Sequence, residues 1–185
     1  MSGTKTVNGK VTLRAPGPAD VPALARLGRE SFSASFAHLY SPANLAGFLD
    51  EVHDEAAVAR RIADPERVYA LAEIDGQLAG YCQVVLRDSF DHAGTARRPV
   101  TLSQLYCAPG ATGNGVGAVL MDWAMAEARA HGADEIRLSV WSENFGAQRF
   151  YARYGFTKVA DIDFWVGDHR DDEFLLACPI GEASA

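Results

Sequence analysis

The run Leu105-Tyr106-Cys107-Ala108-Pro109-Gly110-Ala111-Thr112-Gly113-Asn114-Gly115-Val116-Gly117 passes from an apolar stretch through a turn into an amphipathic one, with glycine at 113, 115 and 117. Lacking a Cβ, glycine lets successive backbone N–H groups turn toward a ligand in conformations closed to other residues. A helix starting just after such a turn adds free N–H donors and a partial positive charge. The chemistry on offer is anion binding, with a phosphate or pyrophosphate as guest; the alternative is a flexible loop with incidental glycines. A Walker-type phosphate loop requires lysine and then serine or threonine after its last glycine. From Gly110 the gap leads to Gly115, but Val116 and Gly117 follow, so that pattern fails. The dinucleotide pattern G-x-G-x-x-G belongs early in a βαβ unit, whereas Gly113 opens G-x-G-x-G beyond the middle of the chain.

Other reactive side chains are sparse. Cys82, Cys107 and Cys178 are odd in number, far apart and flanked by apolar residues, so neither a disulfide framework nor a metal-binding C-x-x-C is indicated. Cys107 has no histidine near it in sequence and reads as a core thiol rather than a nucleophile. No metal is expected, and a reducing cytoplasm fits this cysteine usage.

The elements that must position the glycine turn follow from periodicity. Val100 to Cys107 reads as the strand entering it, and Val116, Val119, Leu120, Trp123 and Ala126 as the inner face of the helix leaving it. Upstream, Val11 to Arg14 is a short strand. Asp20 through Phe32 is a helix with its acidic residue near the start. Ser41-Pro42 caps a second helix, and Asp54 begins a third that ends at Asp64-Pro65. Val68 to Ile74 and Gln77 to Leu86 form a hairpin around Asp75-Gly76. Arg87 to Arg98 is polar, without period, and reads as a loop. Downstream come a strand from Glu135 to Trp141, a helix from Asn144 to Tyr154 stopped by Gly155, and closing strands Thr157 to Val166 and Glu173 to Cys178 around the turn Gly167-Asp168-His169-Arg170.

With 185 residues, 48% of them apolar, the chain suits one domain around one core. The expected division is a flexible N-terminus over 1–10, a single domain over 11–180 and a tail over 181–185. A net charge of −7 argues against nucleic acid as partner and tolerates a cationic substrate. Met1 to Lys10 has no apolar leader, and no stretch is apolar enough to span a bilayer. The expected protein is cytoplasmic, without membrane partners.

Two stretches, "LYCAPGATGNGVGAVLMDWAMAEA" and "LSVWSENFGAQRFYARYGF", together resemble the cofactor-binding half of the GNAT superfamily of N-acetyltransferases. The family's first signature falls on Thr112, Gly115 and Gly117; its second falls on Asn144, Ala147, Phe150, Tyr151, Gly155 and Phe156. Thr112 departs from the glutamine or arginine usual there, leaving less reach and no positive charge beside the pyrophosphate. The flanks "SFSASFAHLYSPANLAGFLDE", "VWSEN" and "DFWVGDHRDDEFLLACPI" resemble the bacterial spermine/spermidine acetyltransferase branch.

The resemblance implies a single α/β domain with a mixed, twisted sheet of about seven strands flanked by helices. It implies acetyl-coenzyme A as cosubstrate, bound by Leu105, Tyr106, Cys107, Thr112, Gly113, Asn114, Gly115, Val116, Gly117, Asn144, Ala147 and Tyr151. Acetyl would pass directly to a primary amine of a small molecule or polyamine. A protein or peptide amine and a non-catalytic coenzyme A sensor are the alternatives.

Tyr151 is the candidate acid, because a phenol with a pKa near about 10 holds its proton at neutral pH and can give it to a departing thiolate. Asn144 reads equally as a helix cap or a cofactor contact. No strong base stands on the strand before the glycine turn, so Glu73, or a water chain held by Gln104 and Ser103, is the candidate. Phe36, His38, Tyr40 and Gln104 are the expected acceptor contacts. Acidic residues at 50, 51, 54, 55, 161, 163, 168, 171, 172 and 173 would recognise a polyamine or form a solvated face. Dimers are common in such families, so a homodimer is expected.

Overall fold

The computed structural model describes residues 10–92 and 94–181. The expected flexible N-terminus and tail lie almost wholly outside them. A seven-stranded sheet runs in the order β1-β2-β3-β4-β5-β7-β6, with β4 and β5 its one parallel pair. Its strands are β1 (Val11–Arg14), β2 (Arg67–Ile74), β3 (Gln77–Val85), β4 (Pro99–Cys107), β5 (Glu135–Trp141), β6 (Thr157–Val166) and β7 (His169–Pro179). The helices are α1 (Val21–Phe36), α2 (Pro42–His53), α3 (Glu55–Ile62), α4 (Val116–Ala130) and α5 (Phe145–Arg153). The mixed seven-stranded α/β architecture is the one the sequence implied.

Local chemistry explains several of these boundaries. Ser41 accepts from the Asn44 N–H and Asp54 from that of Ala56, so α2 and α3 begin on side-chain caps. Asp75 and Gly76 both have positive φ, 51° and 74°, which matches the twist of the β2–β3 hairpin. Strands β4 and β5 are parallel because α4 carries the chain back over one face of the sheet.

Alternation along the strands builds two layers. On one face Leu120, Met121, Ala124 and Ala128 of α4 bury against Cys82, Val84, Val100, Leu102, Ile136 and Leu138. On the other, α1 and α3 cover Tyr69, Leu71 and Tyr81. Farther along, Phe32 and Leu49 of α1 and α2 close over Val166 of β6.

The feature that creates a site is the failure of β4 and β5 to stay paired. They share a ladder only where Pro99 to Thr101 meet Glu135 to Arg137. On the β3 side, Gln104 faces Gln83 while Leu102 faces Val84, which leaves Ser103 as an unmatched bulge residue. A bulge bends its strand and raises the local twist, and here it lies two residues past the last β4–β5 partner. From that point the two strands separate.

Two expectations are corrected. The buried stripe of α4 is Val116, Leu120, Met121, Ala124, Met125 and Ala128, whereas Ala126 is exposed and Val119 and Trp123 are half-buried. Small side chains at 124 and 128 let the helix backbone lie close to the sheet, and the indole of Trp123 rides at the margin. Strand β7 also begins earlier than expected, at His169 opposite Val166, so the turn is only Gly167-Asp168. Gly167 takes φ 61°, and the Asn44 side-chain amide donates to Asp168 at 2.7 Å, pinning the hairpin to α2.

Candidate active site

The turn between β4 and α4 has the backbone an anion cradle needs. Gly110, Gly113 and Gly115 have φ of 87°, 87° and 80°, a region that disfavours side chains. Gly115 is the residue preceding the first turn of α4 and supplies no side-chain cap, so the first N–H groups of the helix remain free. Gly117 differs from its neighbours: it lies within α4, close to Cys107 and Phe150. The Thr112 side chain is exposed on the turn, and Asn114 donates to the Gly110 carbonyl at 3.4 Å.

Where β4 and β5 part, a cavity of about 450 Å³ opens, with Leu105, Tyr106 and Gln104 on one wall and Ser139 and Trp141 on the other. The β4 edge facing it has no strand partner beyond Thr101, so its peptide groups are available to an extended ligand arm. The strand's exit is held by Ser31, which donates to the Cys107 carbonyl at 3.0 Å, and by Ala108 N–H on the Ala79 carbonyl at 2.8 Å.

Helix α5 brings Asn144, Ala147 and Tyr151 to the same cavity, because residues three and four apart share a helix face. The Asn144 side-chain Oδ1 accepts from Ala147 N–H at 3.1 Å, so Asn144 caps the helix, and the residue also lines the cavity. Burial raises the Tyr151 phenol well above its ordinary pKa, which keeps it a proton donor. Burial raises the Cys107 thiol too, which opposes a thiolate there.

The other end of the cavity is aromatic. Phe36 lines it and meets Trp141 edge-on, with ring centroids 6.2 Å apart. Tyr40 lines it as well, and its hydroxyl donates to Asp171 at 2.6 Å. Asp171 is buried and its second oxygen faces the His169 ring nitrogen at 3.2 Å. Gln104 faces Gln83, which is buried and bonded to both Arg67 and Tyr69.

Two expected residues stand elsewhere. His38 lies in a short turn, Ala37–Leu39, with its ring 6.1 Å from that of Trp141, and is not part of the cavity wall. Glu73 accepts from Arg14 at 2.8 Å between β1 and β2. Glu73 sits near the β3-hairpin end of β2 and does not line the cavity, so it is not placed to act as base.

Four charged residues line the cavity, Arg61, Arg67, Asp171 and Glu173; the sequence marked positions 171 and 173 only among ten acidic residues, and neither arginine. Glu173 sits opposite Trp141 on β7, and its Oε2 is buried without a hydrogen-bond partner among the described residues. Burial raises its pKa, the Ser139 hydroxyl works against that, and the Asp171 charge adds to it. Arg61 of α3 also lines the cavity; it donates to the Val52 carbonyl and forms no ion pair among the described residues. Alternation along β7 puts Glu173 on one face, but only the placement of that strand beside β5 shows which face it is.

Comparison with known proteins agrees with this geometry. Residues 33–156 match the acetyltransferase (GNAT) family, and the chain belongs to that family of N-acetyltransferases. An uncharacterized N-acetyltransferase of Mycobacterium tuberculosis is 32% identical over 157 residues, covering 85% of this chain and 96% of that protein. The aminoalkylphosphonate N-acetyltransferase of Salmonella typhimurium is 31% identical over 98 residues, 53% of this chain and 62% of that one. In fold, the PaiA N-acetyltransferase of Thermoplasma acidophilum, solved in complex with coenzyme A, superposes with a TM-score of 0.75 at 21% identity, covering 92% of this chain and 99% of that chain.

Proposed function

We propose that this protein transfers acetyl directly from acetyl-coenzyme A to the primary amine of a small molecule. The observation that carries the reading is the cavity where β4 and β5 part, which has a proton-bearing phenol in its wall and is lined by the strand that leads on into the positive-φ glycine turn before α4. Bound acetyl-coenzyme A supplies a thioester-activated acetyl group. Gly110 to Gly117 hold the phosphates through backbone donors, so Thr112 costs reach but not the cradle. The open edge of β4 receives the pantetheine arm at Leu105, Tyr106 and Cys107. A backbone N–H there faces the thioester oxygen, and one such donor is worth ~3 kcal/mol in a transition state. Tyr151 gives its proton to the departing sulfur.

A small acceptor is favoured because α1, α2 and the β6–β7 hairpin roof the cavity. Polyamine recognition has less support: Asp50 pairs with Arg29, Asp161 with Lys158, and Asp163 and Asp172 with Arg170. A homodimer has support in β6, an edge strand with exposed Val159 and Trp165; sedimentation equilibrium tests it. The function is tested by following free thiol release from acetyl-coenzyme A over a panel of small amines. Release that depends on an amine supports it, whereas thermal stabilisation by the cosubstrate with no release from any amine points to a sensor.

A further inference from the structure

The cavity is split in charge. On the β7 wall, Glu173 presents a buried carboxylate oxygen that nothing among the described residues satisfies. A carboxylate held that way is costly until a donor or a cation completes it. Its neighbour Asp171 is not equivalent, since Tyr40 and His169 occupy both its oxygens.

On the α3 wall stands Arg61, whose guanidinium has five N–H donors and gives one to the Val52 carbonyl. The nearby Arg67 is committed to Asp64 and Gln83. Arg61 has no carboxylate partner among the described residues, and it lines the same cavity as Glu173. Tyr106 lines the same cavity; burial raises its phenol pKa, Arg61 works against that and Glu173 adds to it. Phe36, Phe48 and Phe164 fill the rest of that wall.

Arg61 is also on the wrong side to serve the cosubstrate's phosphates. Strand alternation puts α3 with Tyr69, Leu71 and Tyr81, and α4 with Cys82 and Val84 on the opposite face. The glycine cradle belongs to α4. The charge on Arg61 is therefore left for the acceptor.

Resting on the acetyl-transfer reading above, we infer that the acceptor is a zwitterion, with a primary ammonium that meets Glu173 and an acidic group, carboxylate or phosphonate, that meets Arg61. A guanidinium binds either group through paired charge-assisted hydrogen bonds. A diamine of the same length would instead bring a second ammonium against Arg61. In the reaction, Glu173 takes one proton from the ammonium, and the freed nitrogen bonds to the acetyl carbon as the carbon–sulfur bond breaks. Tyr151 protonates the sulfur, and the second proton leaving the nitrogen goes to water, from which Tyr151 is restored. The balance is an N-acetyl amine, a thiol and one proton released.

The test uses chain-length-matched acceptors: a plain alkylamine, an ω-amino acid, an aminoalkylphosphonate and a diamine. Thiol release is measured with the full-length protein and with Arg61→Met, which keeps an apolar stem. The acidic acceptors should exceed the plain amine in kcat/KM by about tenfold or more, and that ratio should collapse toward unity in Arg61→Met. Calorimetric titration of the same compounds into the coenzyme A complex should show the acidic ones binding more weakly to the variant by a similar factor. Preference between the two acids identifies the group. Equal or better use of the plain amine or diamine overturns the inference, as does a variant that lowers every acceptor equally. Absence of release from all amines overturns the acetyl-transfer reading instead, and the titration then decides the acceptor chemistry by itself.

Discussion

His53 ends α2 behind the acceptor wall, 1% exposed, with neither ring nitrogen hydrogen-bonded among the described residues. The rings of Phe32, Phe48 and Tyr106 surround it at 6.4, 6.3 and 5.7 Å. Burial, with Arg61 and Arg29 adding like charge, lowers its pKa from 6.5 to about 4. The folded protein thus holds His53 neutral over a range in which the unfolded chain takes up a proton. Its contribution is intact above the unfolded value and is lost as pH falls through the window down to the folded one. The full shift corresponds to about 3 kcal/mol, and about 2 kcal/mol of it is lost by pH 5. Urea unfolding of the wild type and His53→Phe at pH 7 and pH 5 isolates the effect, because the remaining titratable groups are common to both. The wild type should lose about 2 kcal/mol more than the variant over that interval. Equal losses would show that His53 is not held neutral by its surroundings.

Gly28 of α1 faces His53: a Cβ there would stand 2.3 Å from its Nδ1 and 2.9 Å from the Tyr81 hydroxyl. Gly28→Ala should cost about 1–3 kcal/mol by overpacking, read as a lower urea midpoint, and should weaken acceptor use because α2 must move. Glu173 has a raised pKa in the fold, so its protonated form is the one the fold favours. Stability tied to it is present below the unfolded value and is lost as pH rises through the folded one. Glu173→Gln should therefore raise the melting temperature at neutral pH while lowering kcat, measured by calorimetry and thiol release; a lower melting temperature would contradict the burial argument.

The glycine turn and the α5 side of the candidate site were legible in the sequence because their residue types answer local demands. Gly113 and Gly115 need positive φ, Asn144 must cap α5, and Tyr151 follows on the same helical face. The acceptor half depends on which distant elements meet. Glu73 and Glu173 are both glutamates on strands, and only sheet order puts one beside Arg14 and the other beside the cleft. His38 and Tyr40 lie two residues apart, yet the first packs edge-on to Trp141 of β5 outside the cavity lining, while Asp171 from β7 fixes the second in it. The α4 stripe went astray at Ala126 because periodicity weighs hydrophobicity, whereas close packing on the sheet selects small residues at 124 and 128.

Tyr151 is the proposed proton donor in the β4–β5 cleft. Thiol release and coenzyme A affinity should be measured together for the wild type and Tyr151→Phe. In Tyr151→Phe, kcat should fall about 10²-fold or more with coenzyme A affinity nearly unchanged. Unchanged turnover across the pH range would contradict it.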